Sequence, residues 1–545
     1  MEFNLADLFE CVAGAVPERE ALVHGDRRLT FARLDERATR LAHHLHARGI
    51  KPGDHVGLYM YNCTEYIEGA LAAYKIRAVP VNINFRYVED ELRYLFDDAD
   101  LAALIYHAEF GPRVAAVAPS VATLRTFVRV ADDTGAAGGP SGAEDYDRAL
   151  AEASPDRDFP ARSADDLYLI YTGGTTGMPK GVMWRQEDLF FGALQGGNVG
   201  GAPITDPAQI GELAKARTEP PTAMPVVPLM HGTGHWSAMI GMHGGGKVVL
   251  TASKRLDPHE VWTLIERERV NVLSIVGDAV ARPLAEALAA PGASYDTSSL
   301  AVLTSGGSIF SLAVKEQMRA LLPKTLLIDA IGASEAGHQG MNVGATSTGK
   351  PRFSVDSKVA AVLDEDLRPV APGSGVVGKF ARRGYIPLGY YKDPEKTAAT
   401  FVTDPDGTRW VVPGDMATVE ADGTITLFGR GSGCINSGGE KIYPEEVESA
   451  LKSHDAIFDA VVVGVPDERW GERVAAVVQL RPGHTLSLPE LDAYARTKIS
   501  AYKVPRQLTL VDEIGRQPSG KADYRWAKAR ATEAAAPAAS ERKDR

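Results

Sequence analysis

Residues 171–181 read YTGGTTGMPKG and directly follow the apolar run LYLI. The glycines of this stretch let backbone N–H groups approach an anion, its threonines add hydroxyl donors, and its lysine adds a positive charge. The residues concerned are Thr172, Gly173, Gly174, Thr175, Thr176, Gly177 and Lys180. The spacing differs from that of a Walker A loop, G-x-x-x-x-G-K-[ST]. The stretch therefore predicts a phosphate-binding loop after a buried strand, and a Gly-rich surface turn is the alternative.

Outward from this loop, and up to about residue 400, short apolar runs alternate with helical patterns. The runs DLYLIY, KVVL, VNVLSIV and TLLIDA are typical of buried strands. Residues 33–49 carry apolar side chains at helical spacing and end in Gly49, which predicts an amphipathic helix ended by a glycine. The alternation predicts a large N-terminal α/β domain.

The pattern changes after about residue 415. The pair Asp422-Gly423 lies between two alternating runs and predicts a hairpin. A glycine-rich stretch at 429–441 follows, and Pro444 is suited to begin a helix. These features predict a small, mobile α+β domain after a hinge near residue 430. The predicted parts are residues 1–430, residues 431–530 and a disordered tail at 531–545.

Composition excludes several classes of protein. The chain has 545 residues, of which 44% are hydrophobic and 24% charged, as expected of a globular enzyme with more than one domain. Its net charge of −12 argues against general binding of nucleic acid or anionic membranes. Three scattered cysteines are too few for a disulfide framework, which favours the cytoplasm. Neither a signal peptide nor a membrane-spanning helix is expected, because no apolar run is long enough.

Nine motifs, in order, resemble those of the ANL adenylate-forming superfamily, which includes acyl-CoA synthetases, adenylation domains and luciferases. They are YTGGTTGMPKG (171–181), PLMHGTG (228–234), SGGS (305–308), DAIGASE (329–335), GYY-D (389–393), WVVPGD (410–415), GR (429–430), GGEKIYPEEVE (438–448) and PSGK (518–521). The resemblance implies a fold of ANL type, in which a large N-terminal AMP-binding domain carries a small mobile C-terminal domain.

The same resemblance implies a set of residues that bind ATP and AMP. They are Thr172, Gly173, Gly174, Thr175, Thr176, Gly177, Lys180, Gly307, Ser308, Asp329, Ser334, Asp415, Arg430 and Lys521. In the family, the residue matching Asp329 meets the adenine amino group, and the one matching Asp415 accepts both ribose hydroxyls. The resemblance implies that Glu335 and Thr176 bind Mg²⁺, a hard cation that prefers oxygen ligands.

Catalytic, acyl-pocket and CoA-binding roles also follow from the resemblance. The implied catalytic residues are Lys521, Glu335, His231 and Lys180. The implied acyl pocket includes His231, Gly232 and Gly307, and the implied CoA-binding residues are Gly438, Gly439, Glu440 and Lys441. Independently of the resemblance, the aromatic residues Trp184, Phe190 and Phe191 and the glycine-rich loop at 195–201 predict a roomy apolar acyl pocket. Lys521 is expected to act in adenylation alone, by placing an ammonium between the acyl carboxylate and the α-phosphate.

The chain departs from the family's usual pattern at several positions. Gly173 replaces a serine, Ser334 replaces a threonine, and Ile331 replaces an aromatic residue beside adenine. Ser432 stands where an Asp or Lys usually marks the hinge. The sequence KGVMW at 180–184, together with GRGSGCIN and GGEK, resembles the corresponding sequences of actinobacterial ligases that act on sterol side-chain carboxylates.

We therefore predict an AMP-forming acyl-CoA synthetase that uses ATP, Mg²⁺ and CoA. Its expected substrate is a bulky hydrophobic carboxylate, either a steroid side-chain acid or a long-chain fatty acid. Three alternatives stay open: a ligase that loads a carrier protein, an adenylating oxygenase of luciferase type, and a catalytically silent nucleotide-binding scaffold. The oligomeric state, a homodimer included, and the resting orientation of the small domain are not fixed by the sequence.

Overall fold

The computed structural model describes residues 1–136, 138–172, 178–308, 310–343, 352–430, 433–437, 440–467, 471–517 and 521–535. Its helices are α1 (Leu5–Ala15), α2 (Phe31–Ala47), α3 (Thr64–Lys75), α4 (Glu89–Asp98), α5 (Gly111–Val117), α6 (Tyr146–Glu152), α7 (Gln186–Gly192), α8 (Gln209–Ala216), α9 (Gly232–His243), α10 (Pro258–Glu268), α11 (Gly277–Ala289), α12 (Leu312–Leu321), α13 (Pro394–Thr400), α14 (Pro444–Leu451), α15 (Leu488–Ala495) and α16 (Tyr524–Ala535). Its strands are β1 (Glu20–His24), β2 (Arg27–Thr30), β3 (His55–Tyr59), β4 (Val79–Asn82), β5 (Leu101–His107), β6 (Thr126–Val130), β7 (Glu144–Asp145), β8 (Leu167–Thr172), β9 (Lys180–Arg185), β10 (Thr222–Pro225), β11 (Lys247–Leu250), β12 (Val272–Ile275), β13 (Val302–Gly306), β14 (Leu326–Ala333), β15 (Gly337–Val343), β16 (Arg352–Phe353), β17 (Ala360–Leu363), β18 (Gly378–Arg382), β19 (Gly389–Tyr390), β20 (Phe401–Thr403), β21 (Arg409–Val411), β22 (Asp415–Val419), β23 (Ile425–Arg430), β24 (Ile435–Ser437), β25 (Glu440–Ile442), β26 (Ile457–Asp467), β27 (Gly471–Leu480) and β28 (Gln507–Val511).

In the part of the chain that the structure describes, these strands form four sheets. The first has the order β15-β14-β13-β12-β10-β11-β1-β2 and the second β19-β9-β8-β4-β3-β5-β6-β7, and both are parallel except near their ends. The third, β16-β23-β22-β18-β21-β20 with β17 beside β18, is antiparallel. The fourth, β25-β24-β27-β26 with β28 parallel to β27, follows the others along the chain. The predicted mixed α/β fold is confirmed.

One apolar core joins the two mainly parallel sheets through helices α1, α3 and α9. Its buried side chains include Leu22 of the first sheet, Ile170 of the second, and Phe9, Tyr74 and Met239 of the three helices. Strands covered on both faces account for the continuous apolar runs in the sequence. The core therefore fixes the ends of the two sheets, where the predicted site residues lie, relative to each other.

The small fourth sheet carries helices α14 and α16 on its faces. Val447 of α14 is buried with one set of strand residues, and Ala527 and Ala531 of α16 with another. Helix α16 continues to Ala535, so the first five residues of the predicted disordered tail are helical, because this helix buries its alanines against the sheet. Residues 536–545 lie outside the described residues. Within the described ranges, no helix has the length and apolar composition that crossing a bilayer requires.

Candidate functional site

The predicted phosphate loop joins strands β8 and β9. Thr172, the last residue of β8, pairs with Lys180, the first residue of β9. Residues 173–177, the centre of the predicted loop, lie outside the described residues. The Lys180 Nζ atom lies 2.6 Å from Asp393 Oδ2. This hydrogen bond raises the pKa of the Lys180 ammonium, and it also lowers the pKa of the Asp393 carboxyl.

The segment PLMHGTG leads into helix α9 and is fixed to the phosphate-loop strand by Asn82. The Asn82 side chain accepts from Tyr171 N at 2.7 Å and donates to Tyr171 O at 3.0 Å. The same amide nitrogen donates to Met230 O at 2.6 Å. His231 follows as the N-cap residue of α9. One half-buried amide thus sets the spacing between the predicted phosphate loop and the predicted acyl-pocket histidine.

The turn after β13 meets the first turn of α9. Gly307 in this turn has a φ of +81°, and a Cβ there would lie 3.4 Å from Thr233 Oγ1. Gly234 is required for a different reason, because a Cβ would lie 2.4 Å from Pro228 O. The turn that carries Gly307, a predicted part of the nucleotide site, therefore lies next to Thr233, two residues after the predicted acyl-pocket histidine.

Asp329, the predicted adenine-binding residue, is paired with a lysine. The Lys315 Nζ atom of α12 lies 2.5 Å from Asp329 Oδ2 on β14. Burial raises the pKa of Asp329, and the nearby Lys315 only partly opposes this effect. Ile331 lies two residues further along β14 and is buried. No motif in the sequence indicates a role for Lys315, because its partner Asp329 lies 14 positions away on another element.

Glu335 lies in the tight turn between β14 and β15. Its Oε1 atom accepts a hydrogen bond from Tyr390 Oη at 3.0 Å. Directly before it, Ser334 O accepts from Trp184 Nε1 at 2.9 Å. The GYY-D motif thus supplies two side chains to the predicted site, since Tyr390 contacts Glu335 and Asp393 contacts Lys180.

A buried arginine that the sequence did not indicate holds the turn that carries Glu335. The Arg382 Nη1 atom lies 2.5 Å from Gly192 O, 2.6 Å from Ala336 O and 2.7 Å from His338 O. Burial lowers the pKa of Arg382 to about 10, so the guanidinium stays charged at neutral pH. Arg382 therefore ties the end of α7 to the carbonyls of Ala336 and His338, which follow Glu335 along the chain.

The predicted ribose-binding pair lies across two neighbouring strands. Asp415 at the start of β22 is opposite Arg430 at the end of β23. Only the backbone of Arg430 is described. This register places the two residues side by side at the end of the third sheet, directly before the chain enters the small domain.

The predicted acyl-pocket aromatics are fully buried in the structure. Trp184 and Phe190 have no exposed surface. The glycine-rich loop after α7 packs against them, because a Cβ at Gly197 would lie 2.8 Å from Phe190 Cζ. A Cβ at Gly232 would lie 3.3 Å from the Trp236 ring. The glycines therefore allow close packing here, and the assignment of an acyl pocket to these residues stays a prediction.

The small domain carries the remaining predicted residues. Glu440 and Lys441 lie in β25, whereas Gly438 and Gly439 are outside the described residues. Lys521 is exposed, and its carbonyl oxygen accepts a hydrogen bond from Gln517 N at 2.8 Å. The domain contacts α11 of the large domain. Arg481 Nη1 lies 3.2 Å from Glu286 Oε1, and the Arg282 guanidinium lies 5.4 Å from the centre of the Phe458 ring.

Family models and similar proteins match this chain over nearly its whole length. Residues 9–391 match the family model of the AMP-binding enzyme, and residues 446–521 match that of the AMP-binding enzyme C-terminal domain. The chain is 49% identical over 540 residues to a 3-oxocholest-4-en-26-oate–CoA ligase of Rhodococcus rhodochrous, covering 97% of this chain and 96% of that protein. It is also 49% identical to a medium/long-chain-fatty-acid and 3-oxocholest-4-en-26-oate CoA ligase of Mycolicibacterium smegmatis, with coverages of 97% and 96%.

Solved structures share the fold. An anthranilate CoA ligase in complex with anthranoyl-AMP has a TM-score of 0.84 at 23% identity and covers 98% of each chain. A benzoate CoA ligase from Burkholderia xenovorans has a TM-score of 0.78 at 22% identity, with coverages of 97% of this chain and 100% of that one. At this level of identity the likeness concerns the fold.

Proposed function

The chain belongs to the family of AMP-binding enzymes, and on that premise we propose that it is an acyl-CoA ligase for bulky hydrophobic carboxylates. One observation carries the proposal: 49% identity over nearly the full length to a ligase named for a steroid side-chain acid. ATP and CoA are then the co-substrates, as in an acid–thiol ligase.

In the first step, an oxygen of the substrate carboxylate attacks the α-phosphorus of ATP, and pyrophosphate leaves with the electrons of the broken P–O bond. Acyl-AMP is the product. Lys180 and the predicted phosphate loop would bind the departing phosphates, and Lys521 would lie between the carboxylate and the α-phosphate. Positive charge at these positions offsets the crowding of negative oxygens around the pentavalent phosphorus.

In the second step, the sulfur of CoA attacks the acyl carbonyl carbon, and AMP leaves with the electrons of the mixed-anhydride bond. The thiol proton is released to solvent or to a base. A protein nucleophile is not required, because the adenylate is already an activated acyl group. Rotation of the small domain would bring Glu440 and Lys441 to the site for this step and carry Lys521 away.

The donor set at Glu335 fits a magnesium ion that arrives with ATP. Its carboxylate is half-buried, and one oxygen is held by the Tyr390 hydroxyl, which orients the other. Among the described residues, no group of three or more His, Cys, Asp or Glu side chains could form a cage for a metal ion. Mg²⁺ is commonly bound by one or two carboxylates together with substrate phosphates. Glu335 would hold the ion with Thr176, and the ion would neutralise phosphate charge when bound.

The acyl substrate is proposed to be a steroid side-chain acid, with long-chain fatty acids as the second class. Both classes appear in the names of the similar ligases. The sequence resemblance of KGVMW and GRGSGCIN to ligases for sterol side-chain acids supports the first class. The scarcity of cysteines further supports a cytoplasmic enzyme, since such chains are typical of reducing compartments.

Pyrophosphate release tests the proposal. The purified protein is given ATP, Mg²⁺ and CoA with either a C24–C27 steroid acid or palmitate, and the acyl-CoA product is identified by mass spectrometry. We expect the steroid acid to have the higher kcat/KM. If palmitate is preferred tenfold or more, about 1.4 kcal/mol, the steroid assignment is wrong. If acyl-AMP accumulates and CoA is not consumed, the protein loads another acceptor.

A further inference from the structure

A small cavity lies in the core between helices α1, α3 and α9. Its volume is about 10 Å³, and its lining includes Phe9 of α1, Tyr74 of α3, and Met239, Met242 and His243 of α9. The two methionines are flexible, and such side chains fill irregular spaces and rearrange easily. The cavity is therefore a place where the core can admit an inserted group by moving methionine side chains.

Two polar atoms at this cavity lack hydrogen-bond partners. The Tyr74 hydroxyl is completely buried and unpaired, and so is the Nδ1 atom of His243, whose residue is 4% exposed. Burial lowers the pKa of His243 to about 4, so its imidazole is neutral at physiological pH. A buried polar group without a partner costs about 1–3 kcal/mol, so this pair needs an explanation.

Helix α9 connects the cavity with the proposed reaction site. His231, His235, Met239 and His243 follow one another at intervals of four residues, which places them in one row along the helix surface. The row begins at the predicted acyl-pocket histidine and ends at the cavity. Twelve residues of helix span about 18 Å. That length is comparable with the distance from the side-chain carboxylate to the far ring of a four-ring steroid acid.

We propose that Tyr74 and His243 form a polar subsite that recognises an oxygen atom, such as a ring ketone, at the far end of the acyl substrate. The inference rests on the proposed function, because the carboxylate must be held near His231. A ketone accepts one hydrogen bond from the Tyr74 hydroxyl and a second from the imidazole N–H. The subsite thus selects rod-shaped acids with an oxygen at each end over acids with an apolar end.

A pair of substrates and a pair of variants test the subsite. The kcat/KM of wild type is measured with 3-oxocholest-4-en-26-oate, with the same acid lacking the ring ketone, and with palmitate. We expect the ketone to be favoured about tenfold. Tyr74→Phe and His243→Phe should each reduce that ratio to below threefold while changing kcat/KM for palmitate less than twofold. Tyr74→Phe removes a single hydroxyl, so it keeps the test decisive if His243→Phe does not fold.

The matched control is Tyr106→Phe. Tyr106 also has a buried hydroxyl without a partner, but it packs in a different core cluster. This variant should keep the wild-type ratio of ketone to ketone-free acid. If wild type shows a ratio near one, or if the ratio survives both Tyr74→Phe and His243→Phe, the polar subsite is wrong and the atoms serve only internal water. If the enzyme turns over palmitate and both steroid acids, but kcat/KM is the same with and without the ring ketone, only the subsite is wrong. If no acyl-CoA forms from any of the three acids, the proposed function is wrong as well.

Discussion

Replacing Arg382 should both destabilise the protein and misplace Glu335. Its Nη1 atom has two protons and faces three carbonyl oxygens, two of them buried and one partly buried, so Arg382→Met removes at least two hydrogen bonds. A buried acceptor left without a donor costs about 1–3 kcal/mol, which gives about 2–6 kcal/mol for two. Removing a buried charge recovers part of that cost. We therefore expect the free energy of unfolding to fall by about 2–4 kcal/mol.

The catalytic consequence follows from the position of Ala336, which is bonded to Arg382 and adjacent to Glu335. A displaced catalytic group of this kind lowers rate by on the order of 10²-fold. The Arg382→Met variant should therefore adenylate its substrate more slowly by this factor and have a raised KM for MgATP. The Arg382→Lys variant should recover part of the lost rate. Urea unfolding and pyrophosphate release measure the two effects separately.

The matched control is Arg383→Met, because Arg383 also donates to a carbonyl, Lys358 O at 2.8 Å, but at an exposed position. Arg383→Met should change both the free energy of unfolding and the rate of adenylation only slightly. An Arg382→Met variant with the same urea midpoint as wild type would show that these hydrogen bonds do not stabilise the fold. If the variant is less stable but has the wild-type KM for MgATP, then Arg382 supports the fold without positioning Glu335.

Four further substitutions have distinct expected results. Lys521→Ala should slow adenylation on the order of 10²–10³-fold yet spare thioester formation from supplied acyl-AMP, because its charge is needed only in the first step. Glu335→Gln should weaken the response to Mg²⁺ while leaving the melting temperature near wild type, since an amide is a poor ligand for this ion. Lys75→Met should lower the free energy of unfolding by about 1–3 kcal/mol, because the fully buried ammonium lies 2.7 Å from Asp35 Oδ1 and also pairs with Glu10, and without it each carboxylate keeps only an arginine partner. For Glu268, burial raises the pKa, but three basic side chains overcome this effect and lower it to about 2, below the ordinary 4.5. This residue therefore contributes about 3 kcal/mol above pH 4.5 that is lost as the pH falls towards 2, and Glu268→Gln should flatten that part of the stability profile measured by urea unfolding.

Each of these expectations has an outcome that contradicts it. Equal slowing of both half-reactions would reject the role of Lys521, with the exposed Lys498→Ala as the control. A large fall in melting temperature would identify Glu335 as a structural residue. An unchanged urea midpoint would mean that Arg157 and Arg162 alone are enough to stabilise the carboxylates around Lys75. If Glu268→Gln loses stability between pH 4.5 and pH 2 as wild type does, groups other than Glu268 cause that loss.

Local patterns were enough to predict several elements. The helix predicted over 33–49 is α2, which runs from Phe31 to Ala47 and is followed by Gly49 at φ +82°. It begins earlier than predicted because the Thr30 side chain caps it by accepting from Arg33 N. The hairpin predicted at Asp422-Gly423 joins β22 and β23. Capping and turn preferences depend on neighbours in sequence, so the sequence carries them directly.

Contacts between distant parts of the chain could not be predicted in this way. Arg382 bonds to Gly192, 190 positions away, and nothing in FARRG distinguishes it from the half-buried Arg383 beside it. The pairing of Lys315 with Asp329 depends on how α12 packs against β14. The motif resemblance identified Asp329 and Glu335, but their partners became visible only when the elements were assembled in three dimensions.

The ion pair between Lys180 and Asp393 has a consequence for how a nucleotide would enter. Asp393 is also the N-cap residue of α13, where it accepts from Lys396 N at 2.9 Å. Under the proposed function, an incoming phosphate competes with this carboxylate for the ammonium. When Lys180 turns to the phosphate, Asp393 keeps its bond to the helix end, where a negative charge is favoured. The exchange therefore leaves neither the Lys180 ammonium nor the Asp393 carboxylate without a partner. Under the proposed function, Asp393 neutralises Lys180 until a nucleotide phosphate takes its place.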